Sequence, residues 1–288
     1  MGVIIISRGS YSYGKEIAEK TAKKLGYQCL SRETILEALE EFNIPEIKLT
    51  QALEDVPSIL NRVIHGKRKY MVNTRVALLH HLRKGDVVYH GFAGHFFLEG
   101  ISHVVKVLIT ANMEERIKIV MDRHHLSRKR ASRFVSKIDD QRRKWGKMLY
   151  GIDPWDPHLY DLSLHIDRLR VEDAVENICH VSGLKQFQPT PESEKAMDDM
   201  FTAFNVELLL LNVKPRVDVY AENKFVYLKP PVPLKDDSEI VLRMGEIMQM
   251  VPGIQGIKVV GKTTARDRRY NFDVHGYEKL MIDKFQSL

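Results

Sequence analysis

Apolar residues recur along this chain in two alternating periods. Val3-Ile4-Ile5-Ile6-Ser7 is short, branched and apolar on both faces, the pattern of a strand buried in a parallel sheet. From Lys15 the period lengthens: Ile17, Thr21 and Leu25 share a face with Ala18 and Ala22, and Gly26 stops the helix. The alternation continues with helical stretches over Glu33 to Glu41 and Pro45 to Leu82, the latter broken near Pro57 and Gly66. Strands are predicted at Asp86 to His90, Val104 to Thr110 and Leu162 to Ile166. Helices are predicted at Asn112 to His125, Ser127 to Lys147 and Val171 to Val181, the last closing at Gly183. Strands that alternate with helices predict βαβ units and a parallel sheet.

The pattern changes after Gly183. Residues 185–192 carry Gln186, Gln188, Pro189 and Pro191 and read as a linker. Beyond it the order is helix, strand (Arg216 to Tyr220), turn at Glu222-Asn223, strand (Lys224 to Leu228), helix (Asp237 to Met250) and strand (Ile257 to Val260). This predicts a small α+β domain over 193–262, after a first domain over 1–184, with the tail 263–288 unassigned. No internal repeat breaks this division, and 288 residues suit two domains.

Composition narrows the partners. The start of the chain lacks a signal peptide's basic region and cleavage site, and no apolar run is long enough to span a bilayer. Cys29 and Cys179 stand alone, with neither metal-pair spacing nor a disulfide framework. A soluble cytoplasmic protein is the expectation. The formal net charge is +6 and unevenly placed: residues 116–147 hold twelve Lys or Arg against three Asp. A basic segment of this density points to an anionic partner, whether nucleotide phosphates, nucleic acid or an acidic lipid surface. Single-strand binders interleave such charge with aromatic residues at a regular spacing, which is missing here, Trp145 aside, so nucleic acid is not expected. His80-His81 and His124-His125 are adjacent pairs that diverge on a helix and do not read as metal ligands.

The candidate chemistry lies between the first strand and the first helix. Gly9, Ser10, Tyr11, Ser12, Tyr13, Gly14 and Lys15 have the spacing of a phosphate-binding loop up to its last position. Glycine lets the backbone turn so that N–H groups converge, the helix adds its positive end, and the lysine ammonium reaches terminal phosphates. Glu16 stands where a Ser or Thr usually helps to hold Mg²⁺, and its carboxylate is the candidate metal ligand.

Ser7-Arg8 followed by this loop and by Gly14-Lys15-Glu16-Ile17-Ala18 resembles the cytidylate kinase-like family. In order, Ser31-Arg32-Glu33, Asp86 to Gly94, Glu115-Arg116-Ile117, Asp139-x-x-Arg142-x-x-Trp145 and Asp156-Pro157-x-x-Tyr160-Asp161-Leu162 are similar to further segments of that family, covering about Val3 to Gly183. The resemblance implies an α/β fold with a P-loop kinase-type parallel sheet flanked by helices, and a helical lid. It implies transfer of a phosphoryl group from ATP to a nucleoside monophosphate with Mg²⁺. Lys15 and the loop amides would hold the donor, with Arg8 and Arg32 toward the acceptor. Arg123, Arg128, Arg142 and Arg143 would belong to the lid, and Asp139 would orient its arginines. The chain departs from the pattern at Ser31, where Asp is usual, and at Gly91-Phe92, where Gly-Arg is usual. A catalytically silent nucleotide sensor is the alternative reading.

In the second domain, residues 215–220, Phe225-Val226-Tyr227-Leu228 and Met250 to Val260 resemble a BON domain. That resemblance implies a binding module for a protein, small ligand or lipid surface.

Overall fold

The computed structural model describes residues 2–31, 34, 64–91, 94–211, 217–229 and 238–260. Arg32, Phe92, the helix expected over Glu33 to Glu41, the part of the Pro45 to Leu82 stretch before residue 64, and the tail lie outside them. The chain divides into two compact units, one of Met1–Ile64 with Ala77–Ser193 and the other of His65–Val76 with Glu194–Leu288.

The first unit is built on a five-stranded parallel sheet in the order β2-β3-β1-β4-β5, with β1 Val3–Arg8, β2 Gln28–Ser31, β3 Val87–His90, β4 Val104–Ala111 and β5 Leu162–Ile166. β1 lies at its centre, with Ile4 opposite Val88 on one side and Val105 on the other. Val3 to Ile6 are at most 1% exposed, as a strand covered on both faces requires. β2 was not anticipated: it is four residues long, sits at the sheet edge, and only Leu30 in it is fully buried. Periodicity needs a longer run to speak.

Helix α1, Gly14–Leu25, closes at Gly26 in the left-handed region (φ 70°) and lays Ile17, Ala18 and Ala22 on the core beneath the sheet. A long helix α2, Ile64–Leu82, precedes β3, and a short α3, Gly94–Phe97, follows it. After β4 come two consecutive helices, α4 Met113–His124 and α5 Arg128–Tyr150. Asn112 starts α4 by accepting the amide of Glu114 at 2.9 Å, and His125 ends it at φ 52°. Ile117 and Val120 of α4 meet Ala131 and Val135 of α5 in a small core of their own. Helix α6, Val171–Ser182, shares the sheet core with α1, and Lys20 and Lys24 of α1 pair with Glu172 and Glu176 of α6.

The second unit contains α7 Pro191–Leu210 from residue 194 onward, β6 Asp218–Glu222, β7 Phe225–Lys229, α8 Ser238–Met250 and β8 Gly256–Val259. β6 and β7 are antiparallel, and β8 runs parallel to β7. Val219, Ala221, Val226 and Leu228 face a core made with Ala203, Val206, Leu210 and Ile247. The order helix, strand, strand, helix, strand is the one the sequence pattern predicts, with boundaries shifted by a residue or two. Residues 65–76 also belong to this unit, and nothing in the local pattern marks them for it. Here Arg68 donates to Glu207 at 2.8 Å and to the carbonyl of Val217 at 2.7 Å. Among the described residues no helix is long and apolar enough to cross a membrane.

Candidate functional site

The carboxyl end of β1 runs into the loop of residues 9–13, which delivers the chain into α1. Ligands of open parallel sheets sit at this end of the strands, where neighbouring connections leave in opposite directions. The loop is anchored at its base: the Gly9 amide donates to the Ile109 carbonyl at 2.9 Å, and the Ser12 hydroxyl donates to Gly9 O at 2.8 Å and Ile109 O at 3.2 Å. Ser10 and Ser12 are buried.

Two tyrosines make the turns that glycines would ordinarily make. Tyr11 has φ 56° and Tyr13 φ 64°. For a residue with a Cβ this region costs about 1–2 kcal/mol. Gly14, in contrast, is required for space, because a Cβ there would stand 2.5 Å from Arg8 Cβ. The Arg8 side chain thus packs across the start of α1.

The first turn of a helix leaves its N–H groups without intrahelical partners. Here the opening extends into the loop: among the described residues, no group accepts a hydrogen bond from the amides of residues 10–16. Beside them stands Lys15, 66% exposed, its ammonium 3.8 Å from Glu19 and free to swing. Glu16 points along the helix to Lys20 at 2.8 Å. Lys20, bonded first to Glu16 and then to Glu172, has its pKa pushed up to about 12. To ligate Mg²⁺ the Glu16 carboxylate would give up this contact. An exposed ion pair of this kind is weak, so the group can be released to that role.

The arginines expected in a lid separate into distinct settings. Arg142 Nη1 donates to the Arg8 carbonyl at 2.8 Å, at the root of the loop. The Arg123 guanidinium lies 6.0 Å over the Tyr11 ring, and the Tyr11 hydroxyl is 2.8 Å from His124 Nε2. Burial raises the Tyr11 pKa, with Arg123 and Arg142 opposing it. Arg143 pairs with Asp153 at 3.1 Å, and Arg128 pairs with Glu114 at 2.8 Å on the surface. Asp139 is taken up by Arg116, 2.6 Å away, and accepts from the Ser10 hydroxyl at 2.7 Å. Arg32 lies outside the described residues.

Four side chains at this end of the sheet, Arg116, Ser7, His95 and Tyr160, carried no assigned role in the sequence. Arg116 stands in the basic run and in the family-like segment Glu115-Arg116-Ile117 with no role of its own, yet it is 8% exposed. Its place beside Ile117 and Val120 on the inner stripe of the helix is the signal that marks it. Ser7 Oγ lies 2.7 Å from His95 Nδ1, and His95 Nε2 lies 3.2 Å from the Tyr160 hydroxyl, which donates to the Pro154 carbonyl at 2.7 Å. Because the Tyr160 proton is committed to Pro154, the His95 proton sits on Nε2 and Nδ1 accepts from Ser7. Burial, reinforced by the Lys106 charge, drives the His95 pKa down to about 3. Burial likewise raises the Tyr160 pKa well above its usual value. Both groups are neutral and hold the 153–156 segment against the root of the loop. Trp155 of that segment lies 3.6 Å from where a Gly9 Cβ would stand.

Comparison with known proteins bears on the same residues. No curated protein matches the chain. Among solved structures, an uncharacterized protein from Eubacterium ventriosum is 18% identical with a TM-score of 0.47, covering 63% of this chain and 97% of that one. A shikimate kinase from Bacteroides thetaiotaomicron is 13% identical with a TM-score of 0.40, covering 64% and 99%. A dephospho-CoA kinase from Campylobacter jejuni is 16% identical with a TM-score of 0.35, covering 63% and 98%. The model of one family, described as cytidylate kinase-like, matches residues 3–168, a span that takes in the loop, the whole parallel sheet and the paired helices. That is more than half of the 288 residues, and the chain belongs to the cytidylate kinase-like family.

Proposed function

We propose that the protein is a nucleotide kinase, transferring the γ-phosphoryl group of ATP to a nucleoside monophosphate. The observation that carries this reading is the run of amides over residues 10–16 with no acceptor among the described residues, at the junction of a buried strand and a helix. A row of open donors at a positive helix end is suited to an anion, and to a phosphate group in particular.

Phosphoryl transfer asks for positioning and neutralisation of charge more than for covalent help. The loop amides would hold the donor phosphates, with Lys15 swinging from Glu19 to the terminal one. Arg123 and Arg142, both near Tyr11, would neutralise charge on the transferring group. Mg²⁺ would supply further neutralisation of charge. Glu16 is the carboxylate that would help to hold it. The loop carries tyrosines rather than glycines, so its bends are set before the nucleotide arrives.

The second reading, a nucleotide sensor without turnover, is favoured by one observation. The carboxylate expected to act in the lid, Asp139, is already neutralised by Arg116, and Arg143 is engaged by Asp153. For the second unit we infer a BON-like regulatory module, supported by its helix-strand-strand-helix-strand order and sheet pairing.

The test is a turnover panel. The purified full chain with Mg-ATP is given CMP, dCMP, UMP or AMP, and ADP is measured. ADP formed with one acceptor and lost in Lys15→Ala supports the kinase. ATP binding with no ADP from any acceptor supports the sensor. Binding or turnover unchanged in Lys15→Ala defeats both.

A further inference from the structure

A peptide unit is planar, and its C=O and the following N–H point in opposite directions. A side chain that grips one carbonyl of a loop therefore sets the aim of the next amide. Three consecutive carbonyls here are gripped in this way. Arg8 O accepts from Arg142 Nη1 at 2.8 Å, and the following amide, that of Gly9, goes to Ile109 O. Gly9 O accepts from Ser12 Oγ at 2.8 Å, and Ser10 O accepts from Arg116 Nε at 2.7 Å. The amides after these two carbonyls, those of Ser10 and Tyr11, have no acceptor among the described residues. They face away from the groups that hold the carbonyls.

Arg116 stands out because its charge is costly to bury. Its fork works through Nε and Nη2. Nε holds Ser10 O, while Nη2 donates to Ser10 Oγ at 2.7 Å and to Asp139 Oδ1 and Oδ2 at 2.7 and 2.6 Å. Ser10 Oγ in turn donates to Asp139 Oδ1 at 2.7 Å. Both Arg116 and Ser10 are buried, at 8% and 3% exposure. The residue so held lies next to Tyr11, whose φ of 56° a free loop would leave.

We propose that Arg116 is a positioning residue for the phosphate loop: with Asp139 as counter-ion it fixes the Ser10 carbonyl and thereby aims the Tyr11 N–H at the bound polyphosphate. Asp139 then serves to hold Arg116 in place, and touches no substrate. This role rests on the reading of residues 9–16 as the phosphate-holding segment.

The test compares wild type with Arg116→Lys in the full chain, using ATP as the probe. Lysine keeps the charge, but a single ammonium cannot hold Ser10 O, Ser10 Oγ and Asp139 together. Calorimetric titration should show ATP affinity falling about tenfold, about 1.4 kcal/mol. Labelling the eleven tyrosines with ¹⁵N gives the specific signature. The Tyr11 amide proton should move downfield on ATP addition in wild type and not in Arg116→Lys. If Arg116→Lys does not fold, Asp139→Asn decides: it removes the counter-charge, keeps the shape, and should blunt the same Tyr11 response. Wild type that binds ATP together with a variant whose Tyr11 response is intact, at any affinity, overturns the role of Arg116 and leaves the phosphate loop standing. Wild type that binds no ATP overturns the phosphate loop, and this role with it.

Discussion

The buried Ser7–His95–Tyr160 chain makes stability depend on pH in a calculable way. His95 has an ordinary pKa of 6.5 in the unfolded chain and about 3 when folded. Between those values the unfolded state binds a proton that the folded state does not, so stability rises with pH across the window. The contribution is complete above pH 6.5 and is lost progressively as pH falls toward 3. Well below 6.5 the slope is about 1.4 kcal/mol per pH unit, so His95 alone removes about 2 kcal/mol between pH 7 and pH 5. The cause is desolvation of the imidazolium first and repulsion from Lys106 second.

His95→Gln isolates this effect. The amide can accept from Ser7 and donate to Tyr160, as the neutral imidazole does, and it does not titrate. Urea unfolding at pH 7 and pH 5, followed by tryptophan fluorescence, reports on the first unit alone, since Trp145 and Trp155 both lie in it. Other titrating groups cancel when the pH difference of the variant is subtracted from that of wild type. The expected remainder is about 2 kcal/mol. Equal pH dependence in the two proteins would refute the reasoning, because an imidazole sealed in this place cannot be indifferent to acid.

Three other outcomes follow from particular contacts. Gly14→Ala puts a Cβ 2.5 Å from Arg8 Cβ, an atom tied to the strand backbone, so strand and helix must part. Unfolding free energy should drop by about 1–3 kcal/mol, and the rise in melting temperature on adding ATP should shrink. Arg68→Ala strands Glu207, whose side chain is 10% exposed, and should destabilise the second unit by about 3–5 kcal/mol. The pair Arg68→Met with Glu207→Leu should recover most of that, as read by hydrogen exchange over residues 194–211. Asn223 and Lys224, at φ 55° and 66°, turn β6 into β7. Lys224→Gly should stabilise the hairpin by about 0.5–1 kcal/mol, the relief of left-handed strain less glycine's larger chain entropy, seen as slower exchange in Phe225–Lys229.

The strands that build the sheet interior were legible because they are branched, apolar and buried on both sides, as Val3 to Ile6 and Val87 to Tyr89 are. Of the two edge strands, β5 was read from its sequence and β2 was not, since Gln28 is exposed and Cys29 and Ser31 are only half-buried. Glycine spacing singled out residues 9–15 as the candidate phosphate loop, yet two of its turns are made by Tyr11 and Tyr13, a choice no spacing rule anticipates. The arginines were legible as a charge and not as individuals. Whether one pairs with Asp153, Glu114 or Asp139 depends on residues far apart in the chain, which local patterns do not encode. His95 shows the same limit: its neighbours Ser7 and Tyr160 lie 88 and 65 positions away.

A loop bent by tyrosine rather than glycine has already surrendered its freedom. A glycine-rich cradle gains order when its anion arrives, and that ordering opposes capture. Here the strain was absorbed when the chain folded, so nucleotide capture should carry a smaller entropic penalty. The same stiffness narrows what the cradle can accept: an anion of a different span would meet a backbone that does not yield.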